Sequence, residues 1–382
     1  MASVRKRVRA GRTTWEVRYY DPDRRLRGRT FKRRVDADRF RAAVEVDKLA
    51  GTFADPALGK TPLAEWAGRW QATTVHLRPS TRARDAMLLE RFVLPRFGRR
   101  HLAAIGQLDV RQWVADLSAQ GLAPSTVVKA YQVLGKIMAA AVDAGMLARS
   151  PCRAIRLPRV EREETRFLDP AEVARLADAI DPRYRALVLL GAYGGLRIGE
   201  LAGLQRRRMH LLAGTVEVAA MAVEVAGRIH VGPPKTRAAR RTVGLPRLVV
   251  AELDRHLAAY VAADPGAVVF TAPQGGPLRL STFRSRFWRA ATAAAGLDGL
   301  RIHDLRHTAV ALWIAAGASP KEVAARAGHT SVRTVLDVYG HLLPEADTAL
   351  RERLDAMAEA SAAAEVGTVL QLPSGPKMVP GA

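Results

Sequence analysis

The chain has 382 residues, 48% of them hydrophobic and 25% charged, enough apolar content to bury a core in each of two or three domains. Sixty Lys and Arg oppose 37 Asp and Glu, a net charge of +23, and such an excess points to a polyanionic partner, nucleic acid above all. Cys152 is the only cysteine, which excludes an intramolecular disulfide and a cysteine-based zinc site and fits a reducing cytoplasm. No apolar stretch follows the basic start Met1–Ala10, so no secretory leader is expected. The most apolar run, Ala186–Leu196, is about half of the ~20 residues needed to span a bilayer, so no membrane association is expected either.

Residues 1–55 form a first block, with sixteen Lys and Arg against seven Asp and Glu up to residue 50. Trp15, Val17 and Tyr19 alternate with Glu16 and Arg18, a strand pattern. Asp21-Pro22-Asp23 reads as a turn, a second strand is expected around Arg29–Arg33, and Asp36 is placed to cap a helix carrying Phe40, Val44 and Leu49. A small sheet backed by one helix, this basic, suggests a DNA-binding module, with Arg5, Lys6 and Arg7 as contacts; a solvated basic arm is the bland alternative.

Residues 61–150 read as helical. Thr61-Pro62 starts a helix with Leu63, Trp66, Ala67 and Trp70 on one face. Ser80 is placed to cap a second with Leu88, Leu89 and Phe92, and Asp109 a third with Val110, Trp113, Val114 and Leu117. A fourth runs from Pro124-Ser125 through Val128, Tyr131, Leu134 and Met138 to a stop at Gly145. The tryptophans are expected in the core, and the exposed bases Arg82, Arg84, Lys129 and Lys136 are candidates for phosphate contact.

A linker carrying proline and charge, from Arg149 to Glu164, leads to a mainly helical third block over 165–350, interrupted by a β-rich stretch at Thr215–Val225, Arg228–Val231 and Arg241–Leu245. The tail, 351–382, continues the apolar spacing of Leu350 with Leu354 and Met357 and ends in Gly, Pro and Ser.

Four motifs follow one another in the third block: Gly194-Gly195-Leu196-Arg197-Ile198-Gly199-Glu200-Leu201; Pro233-Pro234-Lys235-Thr236, with Arg240 and Arg241 behind it; His303-Asp304-Leu305-Arg306-His307-Thr308; and Gly328-His329, with Tyr339-Gly340-His341 ten residues further on. In this order and spacing the chain resembles the tyrosine recombinases, or phage integrases. The resemblance covers the third block, and the helical second block lies where that family keeps its core-binding domain. It implies a multidomain, mainly α protein with small β elements: a SAM-like helical core-binding domain at 61–150, an α/β catalytic domain at 165–350, and an arm-type DNA-binding module at 1–55.

The implied activity is site-specific cleavage and rejoining of DNA through a 3′-phosphotyrosyl link. The residue types suit that chemistry. Negative charge builds on the non-bridging oxygens of the phosphate, and Arg197 and Arg306 are able to clamp it with paired hydrogen bonds. Tyr339 is the implied nucleophile; a free phenol has a pKa of ~10 and needs a base, for which His303 is the candidate. His329 is implied as a phosphate donor and Lys235 as the acid for the leaving 5′-hydroxyl. Only Lys235 and Lys321 lie in this block, and Lys321 sits in the helix start Ser319-Pro320-Lys321-Glu322.

The link stores the bond energy, so neither metal nor ATP nor another cofactor is expected. His307, on the same helical face as His303, reads as a buried hydrogen-bonding residue. The two histidines also have zinc-binding spacing, but Asp304 stands where the metalloprotease pattern needs Glu. The family further implies double-stranded attachment sites, a homotetramer on DNA, accessory DNA-bending or directionality factors, and a place in the bacterial cytoplasm, on the nucleoid when bound. A type IB topoisomerase and a DNA-binding factor without catalysis stay open as alternatives. Arg240 and Arg241, beside the Lys235 motif, are added as DNA contacts.

Overall fold

The computed structural model describes residues 2–9, 11–20, 26–49, 55, 57–161, 166–234, 236–342, 351 and 354–359. The turn expected at Asp21-Pro22-Asp23, the candidate acid Lys235 and most of the 351–382 tail, together with Leu350, lie outside them. The chain divides into two units, Met1–Glu163 and Glu164–Ala382.

The first unit opens with an antiparallel sheet, β1 (Ser3–Arg9), β2 (Arg12–Tyr20) and β3 (Leu26–Phe31), paired in chain order. Because side chains alternate across a strand, Val17 and Tyr19 turn to one face. There α1 (Arg34–Leu49) covers them with Ala37 and Val44. The helix begins two residues before Asp36, which lies in its first turn rather than capping it. β1 was not apparent from the sequence: Val4 and Val8 keep strand spacing, but the four basic side chains between and around them hide it.

Helices α2 (Leu63–Thr73), α3 (Pro79–Leu88), α4 (Leu94–Phe97), α5 (Gln107–Ala119) and α6 (Pro124–Asp143) follow, α3 passing into α4 through a wide turn at Leu89–Val93. Their apolar stripes close on Phe97, Trp113, Leu134, Ile137 and Met138. The indole N–H of Trp113 donates to the Phe92 carbonyl (3.1 Å) and that of Trp66 to Ile137 (3.0 Å). These tryptophans are core residues with their single donors satisfied. α5 starts two residues ahead of Asp109, whose carboxylate accepts from the Gly106 N–H at 2.8 Å.

In the second unit, α7 (Pro170–Ala179) is held at its start by a reciprocal pair, Glu172 N–H to Asp169 and Asp169 N–H to Glu172. α8 (Pro182–Gly194) is apolar around most of its circumference and correspondingly buried, as a central helix must be. A short α9 (Ile198–Ala202) leads into the β region. That region splits in two: β4 (Met209–His210), β5 (Thr215–Val218) and β8 (Arg241–Gly244) make one sheet, and β6 (Met221–Val225) with β7 (Arg228–Gly232) a hairpin.

Six more helices complete the unit: α10 (Arg247–Tyr260), α11 (Leu280–Phe283), α12 (Arg289–Ala294), α13 (Asp304–Ala315), α14 (Pro320–Ala327) and α15 (Arg333–Tyr339). One core runs from Leu168 to Leu305; a second gathers Val310, Trp313, Val323, Val335 and Tyr339. In the tail, Leu354 and Met357 are exposed. Among the described residues no helix is long and apolar enough to cross a membrane.

Candidate active site

The backbone around Gly195 aims the first arginine. Gly195 ends α8 in the left-handed region (φ +66°), and a Cβ there would stand 2.5 Å from Trp313. Only glycine fits both demands. The chain turns at this point, so Arg197 becomes the first residue before α9 and its half-buried side chain reaches a cavity of about 410 Å³. Glu200, His303, His329 and Thr330 share that cavity's wall. Glu200 is buried and accepts from the Arg197 backbone N–H and from Arg197 Nη1, both at 2.9 Å. Burial alone would raise its pKa, but Arg241 and Arg197 hold it below the ordinary carboxylate value.

Arg306, on the first turn of α13, is 3% exposed. Its guanidinium donates to the carbonyls of Gly195 (2.6 Å) and Ala327 (2.5 Å) and to His329 Nε2 (3.0 Å). Burial, with Arg197 and Arg241 close by, pulls its pKa down to about 9, so it stays charged at neutral pH. Because Nε2 of His329 accepts from arginine, the neutral ring carries its proton on Nδ1, which is buried with no hydrogen-bond partner among the described residues. Desolvation and the surrounding arginines push His329 down to about 4.

His303 stands at the cavity wall, crowded by protein but open through the mouth. Partial desolvation, then Arg306 and Arg197, lower its pKa. Its ring meets that of His307 edge-on, 4.9 Å between centroids.

Tyr339, the last residue of α15, does not line the cavity. It is 3% exposed, packed among Val310, Val323 and Val335, with Phe167 at 6.2 Å. Its hydroxyl lies 2.6 Å from His307 Nδ1. Burial raises the phenol to about 12 and, with the neighbouring His303, lowers His307 to about 4. Both are therefore neutral, and the phenol O–H donates to the imidazole. The structure thus puts His307, not His303, against Tyr339. The His-x-x-x-His spacing signalled that both rings share a face; it held no information on which one meets α15.

The candidate DNA contacts are distributed unevenly. Strand alternation separates Arg5 and Arg7, on the open face of the sheet, from Lys6, which pairs with Trp15 on the α1 side. Arg7 and Arg18 both reach Glu16 on that open face (3.0 and 3.1 Å). Arg82 and Lys129 are exposed on α3 and α6. Arg84 and Lys136 converge on buried Asp85, each at 2.8 Å, and these two bonds hold its pKa below normal although burial opposes them. Arg240 is exposed beside Glu217. Arg241 is turned inward, its side chain 6% exposed, onto Glu200.

The sequence pattern of the phage integrase family matches residues 166–346. The integrase of Mycobacterium phage L5 is 30% identical over 303 residues, covering 78% of this chain and 80% of its own length. The chain belongs to the phage integrase family of tyrosine recombinases. It is an enzyme of site-specific recombination that works through tyrosine chemistry. The phiRv2 prophage integrase of Mycobacterium tuberculosis is 29% identical to this recombinase over 361 residues, 90% of the chain and 93% of the relative. Among solved structures, the Tn1549 transposon integrase in complex with a circular intermediate DNA superposes with a TM-score of 0.66 at 19% identity, covering 77% of this chain and 99% of that one. A lambda integrase dimer bound to a core site gives 0.57 at 17% identity, over 72% and 97%. At these identities the structures speak for the fold: a mainly helical recombinase with small sheets.

Proposed function

We propose that the recombinase cleaves DNA by attack of Tyr339 on a phosphodiester held in the cavity by Arg197, Arg306 and His329. The observation that carries the assignment is that Arg197 and His329 line one cavity and Arg306 is hydrogen-bonded to His329, with Glu200 and backbone carbonyls fixing the arginines in place. Two preorganised guanidiniums meet the charge that grows on the non-bridging oxygens, and no reorganisation is needed at the moment of reaction. The neutral His329 ring, with Nε2 accepting from Arg306, already carries on Nδ1 the proton it would donate to a phosphate oxygen.

His307 stores the phenol. As Tyr339 moves toward the cavity, the proton passes to His303, whose ring stands edge-on to His307. The Oη–P bond forms, the bond from phosphorus to the 5′-oxygen breaks, and the leaving oxygen takes a proton from Lys235. The product is a 3′-phosphotyrosyl link and a free 5′-hydroxyl; reversal by another 5′-hydroxyl rejoins the strands. The link conserves the phosphodiester's bond energy, so the reaction is assigned as independent of ATP, metal and any other cofactor.

The division of labour follows the blocks of the chain. Residues 1–55 act as an arm-type module, presenting Arg5 and Arg7 on the open face of its sheet, with Lys6 at its edge. Residues 61–150 hold the core site through Arg82, Arg84, Lys129 and Lys136, and 165–350 cleave, with Arg240 at the duplex. The recombinase works as a homotetramer assembled on double-stranded attachment sites in the bacterial cytoplasm with DNA-bending or directionality factors. A lambda integrase tetramer bound to a Holliday junction supports this assembly for the fold.

The test is incubation with a nicked suicide duplex carrying the attachment core, in EDTA, beside Tyr339→Phe. A covalent adduct that forms without metal and vanishes in the variant is expected. An adduct surviving in the variant assigns another tyrosine, and tight binding without any adduct removes the assignment.

A further inference from the structure

Arg241 is a closely engaged cation of the second unit that the mechanism leaves unused. It opens β8, where Val218 pairs with it, and its side chain is 6% exposed. Nε donates to the Arg326 carbonyl (2.6 Å), Nη1 to the Ala239 carbonyl (3.0 Å) and to Glu200 (3.3 Å), and Nη2 to the other oxygen of Glu200 (3.1 Å). These bonds use at least one hydrogen on every nitrogen of the guanidinium. None of these partners is free to be exchanged for DNA without leaving a buried polar group unmatched.

Each partner leads to an active-site group. Glu200 holds Arg197 by two bonds. The Arg326 carbonyl closes α14 two residues before Gly328, and Arg326 returns the contact by donating to the Gly244 carbonyl at the far end of β8 (2.8 Å). Gly328 sits in the left-handed region (φ +64°) so close that a Cβ would lie 3.0 Å from the Ala238 carbonyl and 3.2 Å from Arg241 Cδ. His329 follows directly, and the neighbouring Ala327 carbonyl receives Arg306. One side chain therefore braces the turn that carries His329 and the carboxylate that carries Arg197.

The charge balance gives the brace a second consequence. Glu200 has one negative charge and two arginine partners. With Arg241 satisfying it from behind, Arg197 is not needed as its sole counter-ion and keeps N–H groups for a phosphate. Without Arg241, the buried carboxylate competes with that phosphate for Arg197.

We propose that Arg241 is a positioning residue for cleavage: it neutralises Glu200 and braces the Arg326–His329 turn, so that Arg197 and His329 present their donors to the scissile phosphate, and it makes no contact with DNA itself. This rests on the reading of Arg197 and His329 as phosphate ligands.

The test compares Arg241→Gln, Arg241→Lys and Arg241→Gln/Glu200→Gln with the unaltered chain, using single-turnover adduct formation on the suicide duplex at saturating protein. DNA affinity is measured in parallel across salt. Arg241→Gln is expected to slow cleavage by about 10²-fold, the usual loss for one oriented donor, with affinity and salt slope unchanged. Arg241→Lys, which neutralises Glu200 without bridging the carbonyls, is expected to lie between. Removing the carboxylate as well is expected to recover at least tenfold over Arg241→Gln, which a general packing defect would not do.

Should Arg241→Gln fail to fold, the comparison of Arg241→Lys and the double variant with the unaltered chain carries the test, both being charge-balanced at Glu200. A fall of ~0.9 in salt slope with normal cleavage would make Arg241 a DNA contact, and a double variant no faster than the single would remove the Glu200 argument; either result overturns the proposal. Absence of adduct from the unaltered chain would instead strike the assignment of the chemistry, and this inference with it.

Discussion

Replacing Gly195 by alanine tests whether the bend after α8 sets both stability and the clamp. An L-residue in the left-handed region costs ~1–2 kcal/mol. The new methyl would lie 2.5 Å from Trp313 Cη2 and 3.2 Å from the Ala309 Cβ. Overpacking of that kind costs ~1–3 kcal/mol. The stiffer unfolded chain returns ~0.4–1 kcal/mol. The net loss is therefore roughly 1–4.6 kcal/mol. For a unit of this size, about 2–4 °C per kcal/mol gives a fall in Tm of roughly 2–18 °C.

Trp313 is not free to yield, since its indole donates to the Tyr193 carbonyl (2.9 Å). The backbone itself must shift, and with it the Gly195 carbonyl that receives Arg306. Cleavage is thus expected to fall further than the unfolded fraction explains. Calorimetry measures the first effect, and single-turnover cleavage well below Tm the second. A shift under 2 °C, or cleavage that tracks the folded fraction alone, would refute the reasoning.

His303→Ala is expected to lose at least ~10²-fold in cleavage, the usual contribution of a positioned base. His307→Phe keeps cleavage within a few-fold but costs ~1–3 kcal/mol of stability by stranding the phenol; the reverse pattern makes His307 the base. Because His307 and His329 are depressed to about 4 from 6.5, the unfolded chain binds more protons than the folded one between those values. Stability is therefore full above pH 6.5 and declines as pH falls toward 4, by at most about 2 kcal/mol per ring at pH 5. Urea midpoints measured at pH 7 and 5 should show the drop, and His329→Phe should reduce it. Arg82→Ala and Lys129→Ala should each lower the salt slope of binding by ~0.9. Lys136→Met should change it less, because Lys136 and Arg84 already share Asp85; equal changes would show that this ion cluster opens on DNA.

The order and spacing of the four motifs made the family legible. What stayed hidden was direction. Arg240 and Arg241 are adjacent bases after one motif, yet one is exposed and the other buried, a difference decided by the phase of a four-residue strand. The run Arg5-Lys6-Arg7 is split between the two faces of a sheet in the same way, and β1 itself was masked by its charge. Arg84 and Lys136 are half-exposed bases by any pattern; only the fold brings Asp85 between them. His303 and His307 are equivalent in spacing, and the choice between them depends on α15, thirty residues away.

A phenol stored against His307, with its ring in the second core, is absent from the cavity that would receive a phosphate. Under the assignment proposed for Arg197 and Arg306, any duplex would present a backbone to them, and a genome offers ~10⁶–10⁹ such backbones. Occupancy of the cavity is then not sufficient for breakage. Every cut also requires work to withdraw an aromatic ring from its packing, and only contacts beyond the phosphate itself can supply it. Target choice in this recombinase would therefore be exercised twice, first in residence on the duplex and again in the release of the nucleophile, so that wrong sites are left intact even while they are occupied.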